Sequence, residues 1–326
     1  MTATPGPRRP PFLDGATISR VLPMAAAIDT IQEAIAAGFD PETDPLRTSV
    51  ALPTGQLLFM PSATDRYAGV KLISVAPANS DRGLPRIQGV YLLMDAATLA
   101  PVALLDAPTL TAIRTPAVSA VAVDHLAAPD ARRLLVFGTG PQAHGHVEAI
   151  RQVRPIAHLS VVGRRRASVE AFVARWQASG LHAEPAGTDP VARADIVCCC
   201  TTARQPLFPA PAVGPSATVV AVGSHEPDVR EVDENLVARA VTVVETRSTA
   251  LREAGEIVQA LRAGHCTPEG LHTLAELVRG AVVVPPARPR LFKSTGMAWQ
   301  DLVVAAAVHR RWLSTHAPEP SVDRSA

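Results

Sequence analysis

The spacing of hydrophobic positions divides this chain into two parts near residue 114. Ahead of that point, short apolar runs bounded by polar, proline and glycine residues predict β-strands. These strands are predicted at residues 56–60, 70–75, 89–95 and 101–106. The last two flank Ala-Ala-Thr-Leu-Ala, which predicts a hairpin or a short connection. The first part is therefore expected to have β character, with a long proline- and glycine-containing loop at residues 76–85.

Beyond residue 114, strands and helices are predicted to alternate. Hydrophobic residues at helical spacing, starting with Ala117 and Val121, predict a helix that leads to Pro129. Strands are predicted at residues 134–137, 159–162, 195–200, 218–222 and 241–244, with helices starting near 141 and 168. This alternation predicts an α/β fold with a parallel, doubly wound sheet. A helical segment at 251–261 is expected to cover one face of that sheet. A last helix near 298–314 is expected to fold back on the first part of the chain.

The composition is that of a folded globular protein, with 47% hydrophobic and 19% charged residues. The net charge of +1, without a dominant basic run, argues against nucleic acid or an anionic membrane as a partner. No apolar run reaches 18 residues, and the first 15 residues lack the apolar segment of a secretory signal. We therefore expect neither a membrane span nor export. Residues 1–12 and about 317–326 are expected to be loosely attached.

The cysteines do not predict a metal site. Cys198, Cys199 and Cys200 are consecutive and Cys266 stands alone, a spacing that suits neither a disulfide framework nor a zinc site. We interpret the three consecutive cysteines as small hydrophobic residues of a buried strand. A reducing compartment, the cytoplasm, is the expected location.

The most informative local motif is Leu-Leu-Val-Phe-Gly-Thr-Gly-Pro-Gln-Ala at residues 134–143. An apolar strand runs directly into Gly138-x-Gly140-x-x-Ala143, and a helical pattern begins at once. This context predicts a dinucleotide-binding turn, in which Gly138 permits a tight turn and Gly140 lets the backbone approach the pyrophosphate. Thr139 and Gln142, within the same turn, are also predicted to contact the cofactor.

The second strand of the predicted sheet bears on the choice between NAD(H) and NADP(H). It ends in Val-Val-Gly-Arg-Arg-Arg at residues 161–166, where an NAD-specific site usually has an acidic residue for the ribose 2′-hydroxyl. Guanidinium groups at Arg164 and Arg165 favour the 2′-phosphate of NADP(H). The alternative is a solvated basic turn that tolerates either cofactor.

With these elements placed, the chain resembles the ornithine cyclodeaminase/μ-crystallin family over roughly residues 45–305. Several segments carry the resemblance in the right order. They are Gly-Val-Lys-Leu-Ile-Ser-Val at 69–75, Asn-Ser-Asp-Arg-Gly-Leu-Pro at 79–85, Ala-Ile-Arg-Thr-Pro-Ala-Val-Ser at 112–119, the glycine turn at 138–143, Ala-Val-Gly-Ser-His-Glu-Pro-Asp at 221–228 and Phe-Lys-Ser-Thr-Gly at 292–296. The resemblance implies a Rossmann domain at residues 114–296. It also implies a substrate-binding and dimerisation domain formed by residues 1–113 and 297–326, and a homodimer.

The resemblance also implies which residues form the site. Arg47, Lys71 and Arg114 would surround the carboxylate of a small substrate, where charge-assisted hydrogen bonds replace lost water. Each has a simpler interpretation, as a surface arginine, a strand-edge lysine and a helix-start ion-pair residue respectively. Three hydroxyl residues are implied to lie near the cofactor, although a cap or turn role is an alternative for each: Thr115, Thr201 and Ser294.

The chain departs from ornithine cyclodeaminases at three positions. The resemblance places His225 where those enzymes carry an aspartate general base, Val229 where they carry a lysine, and Leu58 where a carboxylate helps to hold ornithine. These departures argue against ornithine as substrate. An imidazole at His225 is a candidate to protonate or orient the substrate nitrogen, and Lys71 is a rival proton donor.

Together these observations predict an NAD(P)-dependent oxidoreductase acting on CH–NH or CH–NH₂ groups. The expected reaction is that of a ketimine or cyclic imine reductase, or of an alanine-type amino-acid dehydrogenase, with NADP(H) favoured over NAD(H). Two alternatives stay open: an ornithine cyclodeaminase-type cyclase, and a non-catalytic protein of the μ-crystallin kind that binds a nucleotide and a small ligand.

Overall fold

The computed structural model describes residues 9–316 of the 326-residue chain and contains two β-sheets. The strands of the first sheet are β1 (Phe12–Leu13), β2 (Thr48–Leu52), β3 (Gly55–Ala63), β4 (Tyr67–Val75), β5 (Ile87–Asp95) and β6 (Pro101–Asp106). Their spatial order is β1-β6-β5-β4-β3-β2, and all neighbours are antiparallel except β1 and β6. The hairpin predicted between 89–95 and 101–106 is confirmed.

The second sheet is entirely parallel. Its strands are β7 (Arg133–Phe137), β8 (His158–Val162), β9 (His182–Pro185), β10 (Ile196–Cys199), β11 (Thr218–Ala221), β12 (Val241–Val244), β13 (His272–Thr273) and β14 (Arg290–Lys293). The spatial order is β13-β12-β14-β11-β10-β7-β8-β9. The order reverses beside β7, so the dinucleotide turn after this strand lies at the crevice where doubly wound sheets bind ligands. Cys198 and Cys199 are buried in β10, as predicted.

Helices cover both sheets. They are α1 (Gly15–Val21), α2 (Met24–Ala36), α3 (Ala107–Leu126), α4 (Pro141–Val153), α5 (Arg166–Ala178), α6 (Pro190–Arg193), α7 (Glu234–Arg239), α8 (Arg247–Glu253), α9 (Gly255–Arg262), α10 (Leu274–Val278) and α11 (Ala298–His316). Helix α11 packs on β3, β4 and β5, so the prediction that the last helix returns to the first part of the chain is confirmed. None of the helices within residues 9–316 is both long and apolar enough to cross a membrane.

Strand alternation gives the first sheet two different faces. Lys71, Tyr91 and Leu105 point to the face covered by helices and are buried. Their neighbours along the strands, such as Leu72 and Leu92, point to the opposite face and stay partly exposed although they are apolar. The first sheet therefore has a polar group, Lys71, in its covered face and an apolar surface on its outer face.

Several predictions about the elements were wrong. The helix expected to begin beyond residue 114 starts at Ala107, because the Asp106 carboxylate accepts a hydrogen bond from the Thr109 amide and caps it at the end of β6. Arg114 therefore lies inside a helix. The predicted boundary between residues 113 and 114 lies within this helix, and the division into two domains stays a prediction.

The helical segment predicted at 251–261 is divided into α8 and α9 at Ala254, which has ψ 101°. The break brings Gly255 against the loop before α7, where a β-carbon would lie 2.0 Å from the Val229 carbonyl oxygen. Close packing of backbone on backbone decided this break, and hydrophobic spacing does not report it.

The start of the chain also differs from the prediction. Helices α1 and α2 occupy a region predicted to have β character, and the loop at 76–85 contains a 3-10 helix at Pro77–Arg82. Residues 1–8 and 317–326, expected to be loosely attached, lie outside the described residues. Phe12 belongs to β1, so that expectation was wrong for this residue, which pairs with Leu104 of β6.

Candidate active site

Lys71 lies on the covered face of β4 and is 1% exposed. Its Nζ atom is 2.6 Å from Asp301 Oδ2 on α11 and 3.4 Å from Thr111 Oγ1 on α3. Burial lowers the pKa of Lys71 to about 8; the Asp301 carboxylate opposes this decrease, and Arg114 adds to it. The amine can therefore both hold and release a proton near neutral pH.

Arg114 reaches the same carboxylate from α3 and is 5% exposed. Its Nε atom is 3.5 Å from Asp301 Oδ1, and its Nη1 atom donates a 2.9 Å hydrogen bond to Gln300 Oε1. Gln300 in turn donates to Glu245, the residue after β12. Asp301 and Gln300 thus hold the Arg114 guanidinium against the start of α11.

Glu245 binds the segment between β14 and α11. Its Oε2 atom accepts 2.8 Å hydrogen bonds from the amides of Thr295 and Gly296, and its Oε1 atom accepts one of 2.9 Å from the Ser294 hydroxyl. A carboxylate that accepts several N–H and O–H groups is stable when buried. Glu245 therefore fixes the Phe-Lys-Ser-Thr-Gly segment beside the Arg114 guanidinium.

Arg47, just before β2, lies at the edge of the cationic cluster, which consists of Arg47, Lys71 and Arg114. Its Nη2 atom donates to the Thr295 carbonyl oxygen at 3.2 Å and also forms an ion pair with Glu253 at the end of α8. The guanidinium also contributes to lowering the pKa of Lys71, so its charge reaches the buried amine. The three predicted cations, Arg47, Lys71 and Arg114, are thus brought together from distant parts of the sequence.

His225 lies on the loop after β11 and is exposed. Partial shielding from water, followed by the Arg47 charge, lowers the pKa of His225. Its ring is therefore mainly neutral at pH 7 and seldom carries a proton to donate, in contrast to the Lys71 amine. Leu58 is the position where ornithine cyclodeaminases carry a carboxylate. Met60 of β3 pairs with Lys71, and Leu58 is two residues from Met60 along the strand. The Leu58 side chain therefore points to the same face of the sheet as Lys71.

A second buried ionic group holds the His225 loop. Lys293 Nζ is 3.0 Å from Glu256 Oε2 and donates a 2.7 Å hydrogen bond to the Ser224 carbonyl oxygen. Glu231 accepts hydrogen bonds from the Thr201 hydroxyl at 2.7 Å and the Gly223 amide at 2.7 Å. Burial raises the pKa of Glu231 to about 7, with the Lys293 charge opposing the increase.

The dinucleotide turn has the predicted form. Gly138 has φ 112°, and a β-carbon there would lie 2.4 Å from the Cys200 carbonyl oxygen, so glycine is required. A β-carbon on Gly140 would meet no other atom of residues 9–316 within 4 Å. No side chain of the described residues caps α4 at Gly140, so the N–H groups of its first turn are available to phosphate oxygens. These residues fit a bound pyrophosphate.

Thr111 connects the dinucleotide turn to the cationic cluster. Its hydroxyl oxygen is 3.4 Å from Lys71 Nζ, and its carbonyl oxygen accepts a 3.4 Å hydrogen bond from Gln142 in the first turn of α4. The Lys71 amine and the N-terminal end of α4 therefore meet at one residue of α3.

A cavity of about 360 Å³ lies at the end of β8, next to the dinucleotide turn. It is lined by Val161, Val162, Gly163, Arg166, Val169, Glu170, Pro185 and Ala186. Arg164 and Arg165 are exposed and lie between β8 and α5, next to the cavity-lining residues Gly163 and Arg166. Arg166 forms a 2.7 Å ion pair with Glu170, which leaves the charges of Arg164 and Arg165 uncompensated by that carboxylate.

Two of the three predicted hydroxyl residues, Ser294 and Thr201, have protein partners in the structure. Ser294 donates to Glu245, Thr201 donates to Glu231, and Thr115 is buried in α3 next to Arg114. Sequence reasoning missed Asp301, Gln300 and Glu245 altogether. A signal for Asp301 was present, since it is an acidic residue on a helix whose neighbouring residues 302–308 are all apolar.

The chain is similar to known proteins along most of its length. The profile of the ornithine cyclodeaminase/mu-crystallin family matches residues 12–316. Delta(1)-pyrroline-2-carboxylate reductase 2 of Burkholderia ambifaria is 34% identical over 297 residues, which cover 90% of this chain and 93% of that protein. Ketimine reductase mu-crystallin of Rattus norvegicus is 32% identical over 316 residues, covering 94% and 99% respectively.

Solved structures with the same fold include two that hold a cofactor. Thermococcus litoralis Delta(1)-pyrroline-2-carboxylate reductase in complex with NADH and L-proline superposes with a TM-score of 0.87 and 28% identity, over 94% of this chain and 98% of that one. An archaeal alanine dehydrogenase dimer with bound NAD has a TM-score of 0.87 and 27% identity, over 94% and 97%. The predicted resemblance and the predicted Rossmann-type α/β fold are confirmed.

Proposed function

The chain belongs to the ornithine cyclodeaminase/mu-crystallin family, and we propose that it is an NAD(P)H-dependent oxidoreductase that reduces a small imino acid to an amino acid, or catalyses the reverse oxidation. Relatives that are imino-acid reductases and an alanine dehydrogenase support this class of reaction. The observation that carries the proposal is the meeting of Lys71 and Arg114 on Asp301, linked through Thr111 to the dinucleotide turn.

We assign the substrate carboxylate to Arg114 and Arg47. Arg114 has N–H groups beyond the one given to Gln300, and a guanidinium in a water-poor setting binds a carboxylate strongly. The apolar Leu58 on the same face of the sheet as Lys71 favours a substrate without a second ionic group. Ornithine carries such a group, which makes cyclodeamination the less favoured candidate.

The bound dinucleotide would be held by Gly138, Thr139, Gly140 and Gln142, and its reduced nicotinamide would supply hydride. The chain then has to provide a proton to the substrate nitrogen. Lys71 is the better candidate, since its pKa of about 8 keeps it mostly protonated at pH 7, whereas the pKa of His225 is lowered. We assign His225 to the mouth of the site, where it can orient the substrate nitrogen. Thr115, Thr201 and Ser294 would line the nicotinamide side.

We propose a preference for NADP(H). Arg164 and Arg165 stand beside the cavity at the end of β8, where the adenosine ribose of a dinucleotide lies in a Rossmann sheet. Glu170 is the carboxylate in the cavity wall, and it is already paired with Arg166. The guanidinium groups of Arg164 and Arg165 form no ion pair with any residue of 9–316, and they therefore favour a 2′-phosphate.

We also propose a homodimer formed through the outer face of the first sheet. Phe59, Leu72 and Val90 are in register across β3, β4 and β5 and are partly exposed. An apolar sheet face of this kind needs cover, and a second copy of the same face is self-complementary. One similar structure is an alanine dehydrogenase dimer, which supports this arrangement.

The test is to follow the absorbance of NADPH and NADH with Delta(1)-pyrroline-2-carboxylate, with its six-membered analogue, and with pyruvate plus ammonia or methylamine. Lys71→Met and Arg114→Met should each lower kcat/KM by about 10- to 100-fold, because a charge-assisted hydrogen bond contributes about 1.5–3 kcal/mol. NADPH should still bind, as measured by fluorescence titration. Arg133→Met, an exposed ion-pair residue at the start of β7, is the matched control and should keep normal kinetics.

Two results would contradict this assignment. Conversion of ornithine to proline and ammonia at rates comparable to imine reduction would favour the cyclodeaminase. Binding of NADPH without turnover of any imine or amino acid would favour the non-catalytic binding protein.

A further inference from the structure

Asp301 contacts both cations that are proposed to act on the substrate. Its side chain is 0% exposed, with Oδ2 2.6 Å from Lys71 Nζ and Oδ1 3.5 Å from Arg114 Nε. A buried carboxylate is costly unless cations compensate it, so its place on α11 depends on these two partners. We propose that Asp301 is a positioning residue for the reaction, which holds Lys71 and Arg114 in their working orientation and keeps Lys71 protonated at neutral pH. This inference rests on the proposed function.

The use of lysine in the whole chain supports a special role for Lys71. Of 31 lysine and arginine residues only two are lysine, Lys71 and Lys293. Both are 1% exposed, and each pairs with a buried carboxylate. The other side-chain cations of the chain are arginines, which stay protonated, whereas an amine can exchange its proton. Lysine at position 71 therefore fits a group that gives up a proton.

The hydrogen bonds of Lys71 leave one N–H available. An ammonium group has three N–H bonds, of which one points to Asp301 and one to Thr111. The third has no partner among residues 9–316. Because the two acceptors lie on different helices, α11 and α3, they fix the rotation of the ammonium group, and the remaining N–H serves the substrate nitrogen.

The charges around Lys71 explain why a carboxylate is needed. Arg114 on α3 and Arg47 before β2 both lower the pKa of Lys71, in addition to the larger effect of burial. Tyr91 lies opposite Lys71 in the strand register, and burial raises its pKa, so its phenol stays neutral. Asp301 is thus the group that counterbalances two guanidinium charges and the loss of water.

The proton balance of the reduction defines the role of Asp301. Hydride adds to the imine carbon, the C=N π electrons form a new N–H bond, and the proton comes from Lys71 Nζ. Lys71 is left as a neutral amine and takes a proton from water when the product leaves. The Asp301 carboxylate, 2.6 Å from Nζ, favours the protonated amine before each turnover.

The test compares Asp301→Asn with the wild-type protein and with Asp44→Asn. Asp44, which precedes β2, is also a buried carboxylate. It accepts a 2.9 Å hydrogen bond from the Trp299 amide at the start of α11. It is therefore a control for loss of helix docking. For each full-length protein, kcat for imine reduction is measured from pH 5.5 to 9.5. The ε-carbon signals of ¹³C-labelled lysine are followed over the same range. Only two signals are expected, and Lys71→Met assigns them.

In Asp301→Asn the Lys71 signal and the falling limb of kcat should both move down by about one to three pH units, because a contacting opposite charge shifts a pKa by that amount. At pH 7.5, kcat should fall about three-fold for a shift of one unit and about 25-fold for a shift of two, and it should recover in part at pH 6. In Asp44→Asn both midpoints should stay in place. A purely structural role for Asp301 predicts a proportional loss of kcat at every pH, with an unmoved lysine signal, and that result would overturn the proposal.

Asp301→Glu keeps the charge and covers the case in which Asp301→Asn does not fold. Its midpoints should remain within about half a pH unit of the wild type; a folded protein with midpoints lowered by a unit or more would overturn the proposal. The lysine signal needs no turnover. A wild-type protein without imine reductase activity would therefore refute the proposed function, while the titration of Lys71 would still decide the role of Asp301.

Discussion

Gly296 lies directly against the guanidinium group of Arg114. A β-carbon at residue 296 would be 2.8 Å from both Nη1 and Nη2 of Arg114, and the glycine has φ 80°. The left-handed backbone brings the amide of Gly296 to Glu245 at 2.8 Å, and the missing side chain leaves room for the planar guanidinium. The position of Arg114 therefore depends on a glycine that is distant in the sequence, in the segment between β14 and α11.

Gly296→Ala should raise the KM of the carboxylate substrate about ten-fold or more, since the methyl group displaces the Arg114 guanidinium. Gly264→Ala is the matched control: this glycine has φ 74°, but no other atom of the described chain lies within 4 Å of its β-carbon position. Both variants carry the left-handed strain, which costs about 1–2 kcal/mol. Steady-state kinetics and thermal midpoints separate strain from displacement. Equal KM values in the two variants would refute the contact with Arg114.

The two glycines of the dinucleotide turn should respond differently to alanine. Gly140→Ala should fold normally, because its φ of −86° suits alanine and the space around it is open, but the KM of the cofactor should rise at least about ten-fold. Gly138→Ala should lose stability instead, since φ 112° alone costs about 1–3 kcal/mol and its β-carbon would strike the Cys200 carbonyl. Urea unfolding and cofactor titration measure the two effects. A Gly140→Ala protein with normal cofactor affinity would show that the pyrophosphate lies elsewhere.

Replacing Arg164 and Arg165 by alanine should raise the KM of NADPH far more than that of NADH. The physical reason is the loss of charge-assisted hydrogen bonds to the 2′-phosphate, which NADH lacks. Arg311→Ala, at an exposed position on α11, is the control for a change in net charge. Initial rates with each cofactor provide the measurement. Equal effects on the two cofactors would remove the basis for an NADP(H) preference.

Leu72→Glu should convert the proposed dimer to a monomer. The side chain lies in the centre of the apolar outer face of the first sheet, and a buried unpaired carboxylate there would be strongly unfavourable. Leu313→Glu, at an exposed site on α11, should leave the association state unchanged. Sedimentation velocity at several concentrations gives the masses. A monomeric wild-type protein, or a dimeric Leu72→Glu protein, would place the interface elsewhere or exclude it.

Asp44 should make the stability depend on pH. Burial raises the pKa of Asp44 from 3.8 to about 6, although the nearby Ser62 hydroxyl and the hydrogen bond from the Trp299 amide oppose the increase. The folded protein therefore holds this proton between pH 3.8 and about 6 while the unfolded chain has released it, so stability falls as the pH rises through this window. The shift corresponds to about 3 kcal/mol. The unfolding free energy of the wild type relative to Asp44→Asn, from urea titrations, should decrease between pH 4 and 7. If the difference in unfolding free energy between the two proteins stayed constant with pH, it would contradict the raised pKa of Asp44.

Much of the second sheet was predictable because its strands are buried on both faces. Runs such as residues 134–137 and 241–244 are continuously apolar and lie between helical patterns, so their positions agree with β7 and β12 within one residue. The dinucleotide turn was predictable for the same reason, because its glycines follow directly on a buried strand. Strand β14 was missed although it is central. Arg290 and Lys293 stand at its two ends and interrupt the apolar pattern.

The candidate site also has residues that the sequence predicted and residues that it did not. Lys71 and Arg114 were predicted as site residues because each lies in a segment that resembles the family, and a lysine between apolar residues is unusual. Asp301 is 230 residues from Lys71 in the chain, and Glu245 is 55 residues from Gln300. No local pattern reports which carboxylate will face which cation, so these partners were missed.

The sequence by itself determined the α/β class, the parallel sheet and the glycine turn after β7, because each depends on residues close together in the chain. Only the tertiary structure decided how these parts act together. Packing of α11 on β4 buries Asp301 against Lys71, and packing of α3 brings Thr111 between Lys71 and Gln142. The proton affinity of the amine follows from this burial and from the charges that folding gathers around it, and neither is a property of any one segment.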